Sequence, residues 1–269
     1  MGFLSNEEIN NIKSKISNNV SNLGKKYKVK KSTHQLRSTS YTEAIDLEKD
    51  GWEKTAKQYA TKVVMSKEKT HSKKFEDKLW CMMYDLGFRT LNTEDNLKLK
   101  YGPNDEDFQQ IDVFALDDEV ALIIECKSSK NYTNVTYKNY LESLPIKIAG
   151  FRKCIKDIYG DRRVKYLFAT ENQILGKPDK ERLESLKAYH IDDNATSYIG
   201  DIIKNYKKAS KFQFFGIIFK GETINLNSID VPALSGTMGG KRYYMFSIEP
   251  GHLLKIGFVL HRTRTNERE

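Results

Sequence analysis

The sequence predicts an α/β protein of three layers, with a mixed central sheet flanked by helices. Three observations lead there. From Ser72 onward the apolar residues switch between helical and strand spacing in the order helix, strand, hairpin, helix, strand, helix. Two apolar runs, IDVFAL (111–116) and VALIIEC (120–126), flank the acidic turn Asp117-Asp118-Glu119, the signature of a β-hairpin. The chain of 269 residues is 39% hydrophobic, enough for a sizeable core.

Taken in order, the first 40 or so residues are rich in Asn, Ser and Lys and show little apolar pattern. Residues 1–60 are expected to form a basic N-terminal arm or helical extension. Within it KKYKVKK (25–31) holds five lysines in seven residues. Lys25, Lys26, Lys28, Lys30 and Lys31 are candidates for contacting phosphates, against the alternative of a flexible solvated segment. Residues 41–59 have a mixed helical character, broken at Gly51-Trp52. Phe75, Leu79, Met82, Met83 and Leu86 then mark an amphipathic helix, and Gly87 supplies its C-terminal cap. LKLKY (97–101) alternates like a strand, and the hairpin follows.

The next helix, 137–159, carries Tyr140, Leu144, Ile148, Phe151, Ile155 and Ile158 on one stripe. Pro145 inside it predicts a break or kink. VKYLFA (164–169) reads as a buried strand, 178–186 as a helix and 188–191 as a short strand. Residues 195–219 place Tyr198, Ile202, Tyr206, Ala209 and Phe212 at helical spacing, while their second half, FQFFGIIF, suits a strand equally well. After Gly221 the texture changes to short β-like runs at 223–226 and 243–248, around the Gly-rich SGTMGG. The expected organisation is therefore a main domain over 61–220 and the start of a second, β-containing domain over 221–269. The sequence stops at Arg268-Glu269 straight after a β-like run, as a chain cut short within its second domain would.

Charge and composition narrow the function classes. The net charge is +9, of which residues 1–74 carry +8, residues 75–238 carry −2 and residues 239–269 carry +3. Residues 105–119 hold seven carboxylates and no Lys or Arg. Basic flanks suit phosphates and an acidic centre suits a cation, the pattern of a metal-dependent nucleic-acid enzyme. A Lys-rich solvated surface around an ordinary acidic loop would give the same totals. No apolar run approaches the ~20 residues of a membrane span. The N-terminus MGFLSNEEINNIK lacks the apolar stretch of a secretory signal, and Asn6 stands where a myristoylation site needs a hydroxyl. A cytoplasmic protein is expected. The three cysteines, Cys81, Cys126 and Cys154, form no CxxC pair and read as reduced core thiols. The five histidines show no zinc spacing. SGTMGG lacks the Gly-Lys-Ser/Thr ending of a phosphate loop and reads as a hairpin or connection, and no G-x-S-x-G elbow is present.

Four charged residues stand out against this background: Glu76 on the first amphipathic helix, Asp112 on the first hairpin strand, and Glu125 and Lys127 on the second. Glu125 and Lys127 are two apart and leave the same face of their strand. Asp112, on the neighbouring strand, can reach that face. Charges at the ends of apolar runs are costly unless paired with one another or with a metal. Glu76, Asp112 and Glu125 are hard oxygen donors suited to one or two Mg²⁺ ions, with Mn²⁺ as a substitute. Lys127 would orient or activate the attacking water and help stabilise charge developing on a phosphate. Gln110 is expected on the same face as Asp112, near a water or phosphate. A lone Glu-x-Lys is ordinarily a surface pair; the longer pattern, helical Glu then QIDV then a strand running into ECK, is far rarer.

That pattern resembles the PD-(D/E)XK nuclease superfamily over residues 66–175, with Asp112, Glu125 and Lys127 at the motif positions and Glu76 at the acidic position of the first helix. Ile111 stands where the naming proline would be. The resemblance implies a restriction-endonuclease-like core and Mg²⁺-dependent hydrolysis of DNA. The motif does not distinguish sugars, so RNA stays open as a substrate. A second resemblance, carried by GWEKTAKQY (51–59), KKFEDKLWCMMYDLGF (73–88) and residues 231–262, is to bacterial DGQHR-domain proteins, relatives of the regulator of DNA phosphorothioate modification. The residues that name that domain are absent. It implies a place in a bacterial defence or DNA-modification system; a homodimer stays open as its assembly, and which other defence proteins it works with is not written in the sequence. The competing reading is a DNA-binding regulator or scaffold that keeps the fold without the chemistry.

Overall fold

The acidic turn joins two antiparallel strands at the centre of the fold, in a computed structural model that describes residues 2–206, 210–219, 235–238 and 241–244. In chain order the first elements are α1 (Asn6–Ser14), β1 (Ile16–Ser17), α2 (Val20–Lys31), β2 (His34–Ser40), α3 (Tyr41–Lys49), β3 (Glu53–Gln58) and β4 (Lys62–Glu68). Then come α4 (His71–Asp85), β5 (Thr90–Asn92), β6 (Lys98–Lys100), β7 (Phe108–Gln110), β8 (Val113–Leu116), β9 (Val120–Val135) and α5 (Lys138–Tyr159). The last are β10 (Arg163–Leu175), α6 (Lys177–Ser185), β11 (Tyr189–Ile191), α7 (Asp193–Tyr206), α8 (Ser210–Ile218), β12 (Ser235–Met238) and β13 (Lys241–Tyr244). The chain divides into two compact units, Met1–Ser197 and Tyr198–Glu269.

The main sheet of the first unit has six strands in the order β1-β5-β8-β9-β10-β11. Pairing is antiparallel from β1 to β9 and parallel from β9 to β11. The two parallel joints need crossovers, which α5 and α6 supply. Side chains alternate across the sheet. One face, with Phe114, Leu116, Ala121, Ile123, Tyr166 and Phe168, is buried with Leu141, Leu144, Phe151 and Ile155 of α5 and Ile12 of α1. The other, with Val113, Ala115, Leu122, Ile124, Leu167 and Ala169, is fully buried on the side where α4 packs on β8 and β9. Helix, sheet and helix make the three-layer α/β fold with its mixed sheet. At ~25 cal/mol per Å² of apolar surface, these two faces supply the main drive for folding the unit.

Glycine matters at two places here. Gly87, at φ 99°, ends α4, and its N–H donates to the Tyr84 carbonyl at 3.0 Å, as the cap expected there should. A Cβ on Gly150 would lie 1.9 Å from the Tyr101 carbonyl oxygen, so α5 rests directly on the Tyr101 backbone.

Several elements depart from the sequence expectation. Of the two expectations for the N-terminal region, arm or helical extension, the structure has helices α1, α2 and α3 in place of a loose arm. Ser5 and Glu8 close a capping box on α1, and Asn19 caps α2. The buried positions of α2 are Leu23 and Lys30, seven apart on one face. Within 41–59 the helical character holds for α3, but Glu53–Gln58 is strand: β2, β4 and β3 make a three-stranded sheet with α3, around Ala44, Leu47, Val63, Met65 and Trp52. Pro145 does not break α5, which runs from Lys138 to Tyr159; the buried stripe on both sides of the proline outweighs the lost backbone bond. FQFFGIIF falls within α8 and the turn after it, not a strand. Ser235–Met238 and Lys241–Tyr244 pair as the hairpin expected for the Gly-rich stretch. The β-like runs at 223–226 and 245–248, and most of 231–262, lie outside the described residues. Among the described residues no helix is long and apolar enough to cross a membrane.

Candidate active site

The hairpin register explains why the candidate residues meet. Val113 pairs with Ile124, so Asp112 stands one step beyond β8, opposite Glu125. The Asp112 carbonyl accepts from Asn92 Nδ2 at 3.3 Å, and Asn92 Oδ1 accepts from Phe114 N–H at 3.0 Å. Asn92, fully buried, thereby fixes the chain where it enters β8. Asp112 Oδ2 accepts from Cys126 N–H at 2.8 Å. Glu125, buried, receives the Lys127 ammonium on Oε1 at 2.6 Å and Gln109 Nε2 on Oε2 at 3.2 Å. Gln109 Nε2 also donates to the Tyr140 hydroxyl at 3.0 Å, which shares a 2.5 Å hydrogen bond with the Tyr166 hydroxyl.

The electrostatics are uneven. Burial, then the Glu125 charge and then Glu76, push the Asp112 carboxyl up to about 7, against the opposing pull of the Cys126 N–H and Lys127. Burial works to lower Lys127, but its ion pair and hydrogen bond with Glu125 raise it above the usual lysine range, so it stays an ammonium. Burial pushes the Cys126 thiol far up, with Asp112 and Glu76 adding to the effect. Cys126 is thus an inert thiol, and the free cysteines Cys81 and Cys154 are likewise raised by burial, to about 11 and about 12.

Glu76 lies near enough for both Asp112 and Cys126 to feel its charge, and it also has a partner of its own. It projects from α4, on the opposite side of the sheet from α5, and its Oε2 pairs with Lys73 at 3.0 Å. Among the described residues no three His, Cys, Asp or Glu side chains converge as a metal-binding group. The donors nearest to such a group are Asp112 and Glu125, two hard carboxylates whose mutual repulsion a divalent cation would relieve. That chemistry fits a magnesium-class ion on two residues, with Glu76 paired to Lys73.

Two further corrections concern the phosphate candidates. Gln110 does not share the face of Asp112: it is exposed and its Nε2 donates to the Asp95 carbonyl at 2.9 Å. The chain turns between β7 and β8, so strand parity does not carry across, and Gln109 is the residue that reaches the site. Lys30 is buried, paired with Asp77 at 2.7 Å and Asp95 at 3.2 Å. Lys25, Lys28 and Lys31 are exposed and Lys26 is half-buried; Lys31 donates to the Tyr27 hydroxyl at 3.3 Å. The sequence reading also missed Tyr140 and Lys147. Both lie on α5, seven apart, and an ammonium bordering an apolar stripe was the available signal.

No family model matches the chain, and no curated protein matches it. Among solved structures, the crystal structure of protein VC1899 from Vibrio cholerae is similar over 71% of this chain at 13% identity, with a TM-score of 0.34. The chain spans about half, 52%, of the length of that structure.

Proposed function

We propose that the first unit is a metal-dependent phosphodiesterase of the PD-(D/E)XK type, acting on DNA as an endonuclease. One observation carries the reading: Asp112 and Glu125 face each other across the hairpin, with Asp112 pushed up to about 7 by burial and by that neighbour, and Lys127 2.6 Å from Glu125. Two facing carboxylates, one of them perturbed, beside a fixed ammonium are an arrangement suited to metal-assisted hydrolysis. Asp112 and Glu125 would hold Mg²⁺ or Mn²⁺, and the chemistry such an ion supplies is polarisation of the phosphate and acidification of water.

The chain's own residues supply the rest. The Cys126 N–H fixes the Asp112 carboxylate, leaving Oδ1 without a donor among the described residues. Gln109 fixes Glu125. Lys127, kept protonated by Glu125, is suited to stabilising charge on a phosphate rather than to taking a proton. A role in a bacterial defence or DNA-modification system follows from the sequence resemblances, and RNA remains the alternative substrate.

A specific observation favours a second reading, a DNA-binding regulator or scaffold: Lys127 and Gln109 already engage both Glu125 oxygens, and Lys73 engages Glu76. Plasmid cleavage with Mg²⁺, with Mn²⁺ and with EDTA, run beside Asp112→Ala, separates the two. The nuclease reading expects cation-dependent nicking that the variant loses. Intact plasmid under every condition returns the regulator reading to first place.

A further inference from the structure

Lys147 is half-buried on α5, and no carboxylate pairs with it among the described residues. Its ammonium lies 4.9 Å from the centre of the Tyr140 ring and 5.8 Å from that of Tyr101. The Lys127 ammonium lies 5.6 Å from the centre of the same Tyr140 ring. The two ammoniums are therefore no more than about 10.5 Å apart. Gly150 is what lets the Tyr101 backbone close on α5 and bring its ring to Lys147. A partly desolvated cation held on ring faces is less well compensated than one held by a carboxylate.

We propose that Lys147 and Lys127, with Tyr140 between them, form a phosphodiester-binding subsite beside Asp112 and Glu125. Lys147 is its main ground-state contact, because Lys127 is already engaged by Glu125. The charges around Lys147 agree: burial lowers its pKa and Lys127 lowers it further, while Glu125 opposes them. An arriving phosphate diester would compensate both ammoniums at once. The Tyr140 hydroxyl, committed to Gln109 and Tyr166, holds in place the ring that both cations contact. The proposal rests on the nuclease reading for the identity of the ligand, and the experiment below separates the two.

The test is binding of a fluorescent duplex oligonucleotide by the full chain, by anisotropy over a series of salt concentrations, for wild type, Lys147→Gln and Lys147→Arg, with cleavage in Mg²⁺ and Mn²⁺ measured in parallel. The subsite predicts that Lys147→Gln weakens binding about tenfold near 0.1 M salt and lowers the slope of log K against log salt by about one, while Lys147→Arg keeps both. If Lys147→Gln does not fold, Lys147→Met, which keeps the stem against the two rings, takes its place with the same expectation. Wild-type affinity and slope in the charge-removing variant would overturn the subsite while leaving cleavage, and the nuclease reading, intact. A Lys147-dependent slope without cleavage under either metal would support the subsite and remove the nuclease reading. No binding by the wild-type chain would overturn both.

Discussion

Two clusters of charge, one joining α2 to α4 and one on the β8–β9 hairpin beside α5, are held in opposite electrostatic states. In one, Asp77 accepts Lys30 on Oδ1 at 2.7 Å and Lys69 on Oδ2 at 2.8 Å, with all three side chains at most 4% exposed. Lys69 also donates to the Val29 and Lys30 carbonyls, at 2.8 and 3.1 Å, and so caps the C-terminal end of α2. Lys73 bridges Asp95 at 2.9 Å and Glu76 at 3.0 Å. Lys30 and Lys73 bring the carboxyl of the half-exposed Asp95 down to about 2, against its partial desolvation. In the other cluster, Asp112 is pushed up to about 7 and Lys147 is pushed down. The first cluster answers its own charges and acts as a clamp between α2 and α4. The second leaves its charges partly unanswered, which is tolerable where a cation and an anion are to be bound.

Breaking the clamp should have the largest effect. Asp77→Ala strands two ammoniums in the interior and is expected to cost about 3–5 kcal/mol, read by chemical denaturation. A loss below ~1 kcal/mol would mean that the clamp is solvated and that the contrast between the clusters does not hold.

Next is Lys127→Ala. The proposed function expects cleavage to fall on the order of 10²–10³-fold, with duplex binding changed far less, because the contact is made mainly in the transition state. Full cleavage by this variant would remove Lys127 from the chemistry.

Asp112→Asn tests the unanswered charge by linkage. The folded carboxyl titrates near 7 against an ordinary value of 3.8, so between those values the folded state keeps a proton that the unfolded chain releases. Stability from this group therefore falls as pH rises from about 4 to about 7. In EDTA the variant should be more stable than wild type by about 1–3 kcal/mol at pH 8, after discounting ~1.4 kcal/mol per unit for partial exposure, with no advantage near pH 4. Urea denaturation across that range measures it, and a pH-independent difference would contradict the assignment.

The smallest effect belongs to the surface. Lys25→Gln and Lys28→Gln, both at exposed positions of α2, should change stability by less than ~0.5 kcal/mol and lower the salt slope of DNA binding by at most about one each. Lys30→Gln, in the same run of lysines, should instead destabilise the protein, since Asp77 loses a partner. Equal behaviour of all three would restore the picture of a basic arm.

The parts of the fold legible in the sequence are those where periodicity and burial coincide. IDVFALDDEVALIIECK gave the hairpin and, by strand parity, the shared face of Glu125 and Lys127. The stripe of Phe75, Leu79 and Met83 gave α4. The β2–β4–β3 sheet was illegible because β2 buries only Thr39 and β3 buries nothing, so no alternation is written into either strand. Lys30 was misread because a lysine-rich helix looks solvated, and the aspartate that buries Lys30 comes 47 residues later. Gln109 was hidden by the turn between β7 and β8. The convergence of Asp112, Glu125 and Lys127 was legible; the pairing of Glu76 with Lys73 was not, because three-residue spacing on a helix fits a surface pair and a site residue equally.

On the proposed reading Asp112 and Glu125 form a cation site whose two carboxylates are answered only in part, by the single ammonium of Lys127. Calorimetric titration with Mn²⁺ and Mg²⁺ of wild type, Asp112→Ala and Lys127→Ala tests it most directly. Wild type should bind saturably, Asp112→Ala should lose binding, and Lys127→Ala, where Glu125 is released from its ion pair, should bind at least as tightly. Equal binding by wild type and Asp112→Ala, or no binding by wild type, would contradict it.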